Sequence, residues 1–198
     1  MSGAPRPALF LDRDGVLNVE VEYLHEPAAL VLYPGAAEAV AAVNRLGIPV
    51  VVVSNQAGIG RGLYSEEAYR AVQRRLGELL ALHGARLDAE YHCPHHPDFG
   101  VGAYRVECEC RKPRPGMLLA AARDLGLDLR RSVLVGDKLT DLEAGRGVGC
   151  STLLVRTGYG AEVEARAAAG VAAPWDGVFD SLAAALPFIL EHLRARGA

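Results

Sequence analysis

The chain has 198 residues, 51% of them apolar, and a formal net charge of −3 at pH 7. This length and apolar content predict one domain over residues 1–198 with a full core that needs no disulfides. The mixed charges argue against the basic face typical of nucleic-acid-binding proteins. The N-terminus lacks the apolar run of a signal peptide, and the longest apolar runs are too short for a membrane span. A cytoplasmic protein without nucleic-acid or membrane partners is therefore expected.

Short apolar runs alternate with helical stretches along the chain. Buried strands are predicted over residues 8–11, 48–53, 88–92, 132–135 and 152–155. Helices are predicted over residues 36–46, 66–82, 115–125, 139–146 and 181–194, and residues 162–173 predict a helix followed by a loop. This alternation predicts an α/β fold, a doubly wound parallel sheet whose ligands bind beyond the carboxyl ends of its strands.

Polar residues fall at three of these predicted strand ends. Asp12 and Asp14 follow the first strand, Ser54 and Asn55 follow the second, and Asp137 follows the fourth. Two crowded carboxylates repel each other unless a cation lies between them, although an Asp-Gly turn is the plainer alternative. Taken alone, Asp137 also suits a helix N-cap, and Ser-Asn pairs also make ordinary turns.

The order of these motifs along the chain resembles the haloacid dehalogenase superfamily of phosphatases. An acidic pair, a Ser-Asn pair, Lys112 and a second acidic strand end follow one another between Phe10 and about Asp141. The resemblance implies that Asp12 is the nucleophile and forms an aspartyl-phosphate. It also implies that Asp14 is the general acid and base, and that Asp141 orients Lys112 or a metal-bound water.

The same resemblance assigns a catalytic Mg²⁺ and the contacts of the phosphoryl group. Mg²⁺ would bind the Asp12 carboxylate, the main-chain carbonyl of Asp14 and the Asp137 carboxylate, which are oxygen ligands of the kind it prefers. Lys112 and Ser54 would hold the phosphoryl oxygens and offset their charge.

A segment rich in Cys, His, Pro and Gly follows the third predicted strand. Cys93, His95, Cys108 and Cys110 lie in a loop at residues 93–110 with no predicted helix or strand. Three thiolates and one imidazole suit a closed, structural Zn²⁺ site, and free thiols or a disulfide are the alternatives. The spacing leaves open which neighbouring histidine binds, since His92 and His96 are adjacent. Cys150 is expected to be a small buried apolar residue.

Together with this loop, the motifs Asp-Arg-Asp-Gly-Val-Leu-Asn, Ser-Asn-Gln, Arg-Lys-Pro and Gly-Asp-Lys resemble the heptose bisphosphate phosphatases of the histidinol-phosphate phosphatase subfamily. The resemblance points to His95 as the fourth zinc ligand. It implies that the protein removes the 7-phosphate of a heptose 1,7-bisphosphate, and a monomer is expected. It also implies substrate contacts from Arg13, Glu20, Tyr23, Ser54, Asn55, Arg111 and Lys138.

The resemblance further implies that Arg111 and Lys138 reach the second, non-reacting phosphate. No segment is long enough for a separate cap domain, so the zinc loop and the loops at residues 18–33 and 57–64 are expected to cover the site. The glycines of residues 58–62 predict that the loop at residues 57–64 is flexible. A histidinol-phosphate phosphatase and a non-catalytic zinc-stabilised binding module are the alternatives, and the intact set of acidic residues and Lys112 argues against the second.

Overall fold

The computed structural model describes residues 4–168 and 175–195. Its strands form one parallel sheet: β1 (Leu9–Leu11), β2 (Val50–Asn55), β3 (Ala89–Cys93), β4 (Val133–Gly136), β5 (Ser151–Val155) and β6 (Gly177–Phe179). Their order across the sheet is β3-β2-β1-β4-β5-β6. The strand order reverses at β1, so the carboxyl ends of β1, β2 and β4 open onto one crevice.

The helices connect these strands. They are α1 (Ala36–Asn44), α2 (Ala57–Gly60), α3 (Glu66–Ala81), α4 (Gly116–Leu125), α5 (Leu139–Gly147), α6 (Gly160–Ala168) and α7 (Leu182–Ala195). Ser65 caps α3 as predicted, because its side chain accepts a hydrogen bond from Ala68 N at 3.1 Å. Among the described residues, none of these helices combines the length and the apolar sequence that a bilayer span requires.

The two faces of the sheet bury two separate apolar clusters. Successive residues of a strand point to opposite faces, so Leu9 and Leu11 pack on one side and Phe10 on the other. The first side is covered by α1, α7 and the buried face of α3, and the second by α4 and α5. Burial on both faces explains why β1, β2, β4 and β5 contain continuous apolar runs in the sequence.

The predicted fold class is confirmed, with two differences in detail. The segment predicted as a flexible loop contains the helical turn α2, and residues 58–60 within it are buried. Close packing explains this, because a Cβ on Gly60 would lie 2.2 Å from the Pro94 carbonyl oxygen. Strand β6 was not predicted. The helix predicted from residue 162 is present as α6, and the loop predicted after it extends into residues 169–173, which lie outside the described residues.

Candidate active site

Three buried aspartates meet at the carboxyl ends of β1 and β4. Asp12 follows β1, Asp137 follows β4, and Asp141 lies in the first turn of α5. They are 4%, 0% and 1% exposed, and their carboxylate oxygens lie within 4.8 Å of one another. The pairing of β1 with β4 brings them together, since Asp12 N donates to the Val135 carbonyl at 3.0 Å.

Lys112 brings a positive charge into this aspartate cluster. Its Nζ lies 3.0 Å from Asp12 Oδ1 and 2.7 Å from Asp141 Oδ1, and it donates to the Val53 carbonyl at 2.6 Å. Burial acts to lower the pKa of Lys112, but the charges of Asp12 and Asp141 outweigh it and the pKa is raised. Lys112 is therefore charged and offsets part of the buried acidity.

The negative charge of Asp137 is compensated less than the charges of the other two aspartates. Its Oδ2 accepts a hydrogen bond from Tyr159 N at 2.9 Å, but its buried Oδ1 has no hydrogen-bond partner in the described part of the chain. Burial and the charges of Asp12 and Asp141 raise the pKa of Asp137 to about 8. An unpartnered, buried carboxylate oxygen beside other carboxylates fits a divalent cation that prefers oxygen ligands, such as Mg²⁺.

Close backbone approaches surround the Asp137 carboxylate. Gly15 has a φ of +87°, and a Cβ on it would lie 2.1 Å from Asp137 Oδ2. Gly158 has a φ of +58°, and a Cβ there would lie 2.2 Å from the same oxygen. Thr157 Oγ1 donates to the Gly15 carbonyl at 2.6 Å. The loop after β5 thus packs directly against the turn that follows β1.

Asp14 lies at the edge of this cluster and is held by hydrogen bonds. The Arg13 guanidinium contacts both of its oxygens, at 3.0 Å from Nε to Oδ1 and 2.7 Å from Nη2 to Oδ2. Asn18 and Gln56 also donate to the carboxylate, at 2.9 and 3.0 Å. Burial acts to raise the pKa of Asp14, but the charge of Arg13 and these hydrogen bonds outweigh it and lower the pKa.

The Arg13 side chain is buried, which leaves the predicted substrate contact of this residue to its main chain. Arg13 is 0% exposed, and its Nη1 donates to Gln73 Oε1 at 3.2 Å. The guanidinium also lies 5.5 Å from the centroid of the Tyr69 ring. Both Gln73 and Tyr69 belong to the buried face of α3, so this face and the Asp14 charge draw the guanidinium inward.

Ser54 and Asn55, the two polar residues at the end of β2, have different hydrogen-bond partners. Ser54 is 2% exposed, and its Oγ accepts a hydrogen bond from Gln56 Nε2 at 2.8 Å. Asn55 binds the main chain of Lys112, donating to its carbonyl at 3.1 Å and accepting from its amide at 3.0 Å. The Asn55 amide therefore positions Lys112, although the residue also lines the cavity described next.

A cavity of about 410 Å³ opens at the aspartate cluster. Its lining includes seven of the residues predicted for the site: Asp14, Glu20, Tyr23, Asn55, Arg111, Lys112 and Lys138. Asp12, Ser54 and Asp137 are buried and are not part of this lining. Lys112 lines the cavity and contacts Asp12 and Asp141, so it connects the cavity to the aspartate cluster.

The charged residues of the cavity wall are paired with protein groups. Lys138 Nζ lies 2.9 Å from Glu20 Oε2 and 4.7 Å from the centroid of the Tyr159 ring. Arg111 Nη1 donates to the His95 carbonyl at 3.1 Å. Tyr23 has a φ of +57°, which a non-glycine residue rarely adopts, and its ring stacks against the guanidinium of Arg61 at 5.1 Å.

Several residues of the lining were not predicted as site residues: Gln56, Tyr64, Thr140 and Tyr159. Gln56 could have been predicted from the sequence, since it completes the Ser-Asn-Gln motif at the end of β2. Tyr159 follows the end of β5 and so obeys the same strand-end rule, but no acidic or Ser-Asn motif marked that strand. Tyr64 lines the cavity because it packs against α2, a helix that was not predicted.

The predicted zinc ligands form a second cluster. The Sγ atoms of Cys93, Cys108 and Cys110 lie 3.2–3.5 Å apart, and no disulfide joins these three residues. His95 Nδ1 lies 3.4 Å from Cys110 Sγ and 3.7 Å from Cys93 Sγ. Four donors that converge within 4.8 Å fit one tetrahedral Zn²⁺.

The other histidines of this region have different contacts. His92 Nε2 lies 3.2 Å from Glu66 Oε2, and His96 Nδ1 accepts hydrogen bonds from the main chain of Asp98 and Phe99. His95 is therefore the histidine that shares the cluster. Cys150 is buried away from these ligands, and burial raises the pKa of its thiol to about 12.

The chain is similar in sequence to known phosphatases. A family model described as "HAD-hyrolase-like" matches residues 109–185. The D-glycero-D-manno-heptose-1,7-bisphosphate 7-phosphatase of Thermosynechococcus vestitus is 48% identical, and the match covers 97% of this chain and 100% of that relative. The D-glycero-beta-D-manno-heptose-1,7-bisphosphate 7-phosphatase of Vibrio cholerae is 46% identical over 77% of this chain and 83% of the relative.

The fold is also similar to solved structures. The D,D-heptose 1.7-bisphosphate phosphatase from B. bronchiseptica, determined in complex with magnesium and phosphate, matches with a TM-score of 0.82 and 35% sequence identity. The match covers 93% of this chain and 98% of that structure. The predicted resemblance in fold and family is therefore confirmed.

The Gly15 turn gives a prediction for the divalent cation. Gly15→Ala should lower Mg²⁺ affinity at least about tenfold, roughly 1.4 kcal/mol, because the new Cβ would displace the Asp137 carboxylate. Gly62→Ala is the matched control, since Gly62 also has a positive φ of +72° but open space around a Cβ. Isothermal titration with Mg²⁺ measures both, and equal affinities in the two variants would contradict the role of Gly15.

Proposed function

Because this chain belongs to the haloacid dehalogenase-like family of heptose 1,7-bisphosphate 7-phosphatases, we propose that it removes the 7-phosphate of D-glycero-D-manno-heptose 1,7-bisphosphate. It is a phosphoric monoester hydrolase like its relatives. The observation that carries the proposal is the arrangement of the site, in which Lys112 contacts the buried aspartate cluster and lines the cavity together with Arg111 and Lys138.

In the proposed mechanism, Asp12 attacks the phosphorus of the reacting phosphate. The bond between phosphorus and the sugar oxygen breaks as an aspartyl-phosphate forms on Asp12. Lys112 and the Ser54 hydroxyl would bind the phosphoryl oxygens and offset their charge. Asp12, the Asp14 carbonyl and Asp137 would hold Mg²⁺, which supplies further positive charge for the reacting phosphate.

Asp14 would give a proton to the departing sugar oxygen and then take one from the water that attacks the phosphorus of the aspartyl-phosphate. This attack breaks the bond between phosphorus and the Asp12 oxygen, releases phosphate and restores the Asp12 carboxylate. Its four hydrogen bonds favour the ionised carboxylate, which is the form needed in the second step. A phosphate dianion bound beside Asp14 would raise its pKa, because a second negative charge disfavours ionisation. Asp14 then holds more readily the proton that it donates in the first step.

The wall of the cavity would recognise the second phosphate of the substrate. Arg111 presents a planar guanidinium that suits two phosphate oxygens at once, and Lys138 adds a second cation. In the structure Lys138 is paired with Glu20, and Arg111 is paired with a main-chain carbonyl. These partners would keep both cations oriented toward the cavity until a phosphate replaces part of their contacts.

The Cys and His cluster would bind a structural Zn²⁺ that fixes this wall. Cys110 is covalently next to Arg111, and Arg111 also contacts the main chain of His95. We propose that the protein acts as a monomer on a small sugar phosphate in the cytoplasm, whose reducing environment keeps such thiols available as metal ligands. A histidinol phosphate carries one phosphate only and would leave the second cationic group without a ligand.

Asp12 provides the first test of this mechanism. Asp12→Asn should abolish turnover, because an amide does not attack phosphorus, and the fold should survive the nearly isosteric change. Reduction with borohydride during wild-type turnover should convert Asp12 to homoserine, as expected for an acyl phosphate, and mass spectrometry detects the product. A variant that retains about a tenth of the wild-type rate, a barrier change of only about 1.4 kcal/mol, would exclude Asp12 as the nucleophile.

Arg111 tests the assignment of the substrate. Arg111→Ala should reduce kcat/KM for the heptose 1,7-bisphosphate about tenfold or more, because the contact with the second phosphate is lost. The heptose 7-phosphate, which lacks the 1-phosphate, and p-nitrophenyl phosphate should be affected much less. Arg114→Ala is the matched control, since Arg114 lies in the same loop but pairs with Glu107 and Glu109. Equal losses on all three substrates would assign Arg111 a structural role.

The zinc proposal is tested by metal content. Elemental analysis should find about one tightly bound zinc per chain, and Cys108→Ser should lower the zinc content and the melting temperature. Activity should also fall, because the loop carries Arg111 and Lys112. Cys150→Ala removes a buried thiol outside the cluster and should leave the zinc content unchanged. A zinc-free protein with full stability and activity would contradict the proposal.

A further inference from the structure

The side-chain amide of Gln56 has all of its hydrogen-bonding positions occupied. Gln56 is 3% exposed, and its Oε1 accepts from the Tyr64 hydroxyl at 2.7 Å and from Arg13 Nη2 at 3.3 Å. Its Nε2 donates to Asp14 Oδ2 at 3.0 Å and to Ser54 Oγ at 2.8 Å. One amide thus connects the proposed acid and base to the proposed phosphoryl-binding hydroxyl.

The orientation of this amide is fixed by its partners. A guanidinium only donates hydrogen bonds, so Arg13 requires the Gln56 oxygen to face it. An ionised carboxylate only accepts, so Asp14 requires the Gln56 nitrogen on the other side. A flipped amide would place its oxygen against the Asp14 carboxylate and its nitrogen against Arg13, and both contacts would be repulsive.

This orientation has a consequence for each of the two residues that the nitrogen contacts. The hydrogen bond from Gln56 occupies a lone pair of Ser54 Oγ, which leaves the hydroxyl proton free to be donated to another acceptor. The bond to Asp14 Oδ2 adds to the two contacts from Arg13 and restricts rotation of the carboxylate. Asp14 and Gln56 both line the cavity, so the restricted carboxylate is at its surface.

We propose that Gln56 is a positioning residue that holds Asp14 for proton transfer to the leaving oxygen while it directs the Ser54 hydroxyl toward the phosphoryl group. The inference rests on the proposed function of the site, in which these two groups act on opposite sides of the same phosphorus–oxygen bond. Gln56 thereby couples the protonation of the leaving group to the binding of the group that is transferred.

The dependence of rate on the leaving group tests this role. Proton donation matters most for an alkyl phosphate, whose alkoxide is a poor leaving group, and little for p-nitrophenyl phosphate. Gln56→Met, nearly equal in volume, should lower kcat for glycerol 2-phosphate at least about tenfold more than kcat for p-nitrophenyl phosphate. Both substrates are general monoesters, so the result is independent of whether a heptose bisphosphate is the natural substrate.

A double-mutant cycle asks whether Gln56 acts through Asp14. Measured on glycerol 2-phosphate, Gln56→Met should slow the Asp14→Asn variant much less than it slows the wild type, because the carboxylate that Gln56 positions is already lost and only the contact with Ser54 remains. Tyr64→Phe, which removes one of the two hydrogen bonds that the Gln56 oxygen accepts, should give a smaller loss with the same dependence on leaving group. Additive losses in the cycle would overturn the proposal.

Gln73→Met is the control for the loss of a buried glutamine. Gln73 is 9% exposed and contacts Arg13 but not Asp14 or Ser54. It should lower the melting temperature without changing the ratio of the two rates. The proposal is overturned if Gln73→Met and Gln56→Met change this ratio equally, if Gln56→Met slows both substrates equally, or if it raises KM with kcat unchanged.

Discussion

The accumulation of negative charge at the end of β1 is the constraint on which the rest of the site depends. Asp12, Asp137 and Asp141 are buried together, and Lys112 contacts two of them. A cluster of buried carboxylates is unstable unless cations are brought to it from elsewhere in the chain. Much of the surrounding structure serves to deliver and orient those cations.

Two parts of the structure position Lys112. Asn55, at the end of β2, binds the main chain of Lys112 from both its donor and its acceptor side. The Cys and His cluster ends at Cys110, two residues before Lys112, and its ligands come from both ends of a loop that has little regular structure. A metal in that cluster would therefore act on catalysis through the position of a main-chain segment.

The sequence was most informative where one residue type implies one environment. Continuous apolar runs predicted the central strands, and Cys-x-Cys and strand-end aspartates predicted both clusters. It was least informative where the packing of neighbouring elements determines the position of a side chain. Arg13 was predicted to contact substrate, but the buried face of α3 and the charge of Asp14 hold its side chain in the interior. Tyr159 reaches the site only because β5 lies beside β4.

The strand order places the site between distant parts of the chain. Asp12 and Lys112 are separated by 100 residues, and their contact forms only when β1 lies between β2 and β4. A nascent chain that has not yet reached Asp141 has Asp12 but not its surroundings. Synthesis on the ribosome can therefore complete the aspartate cluster only after more than two thirds of the chain has been translated.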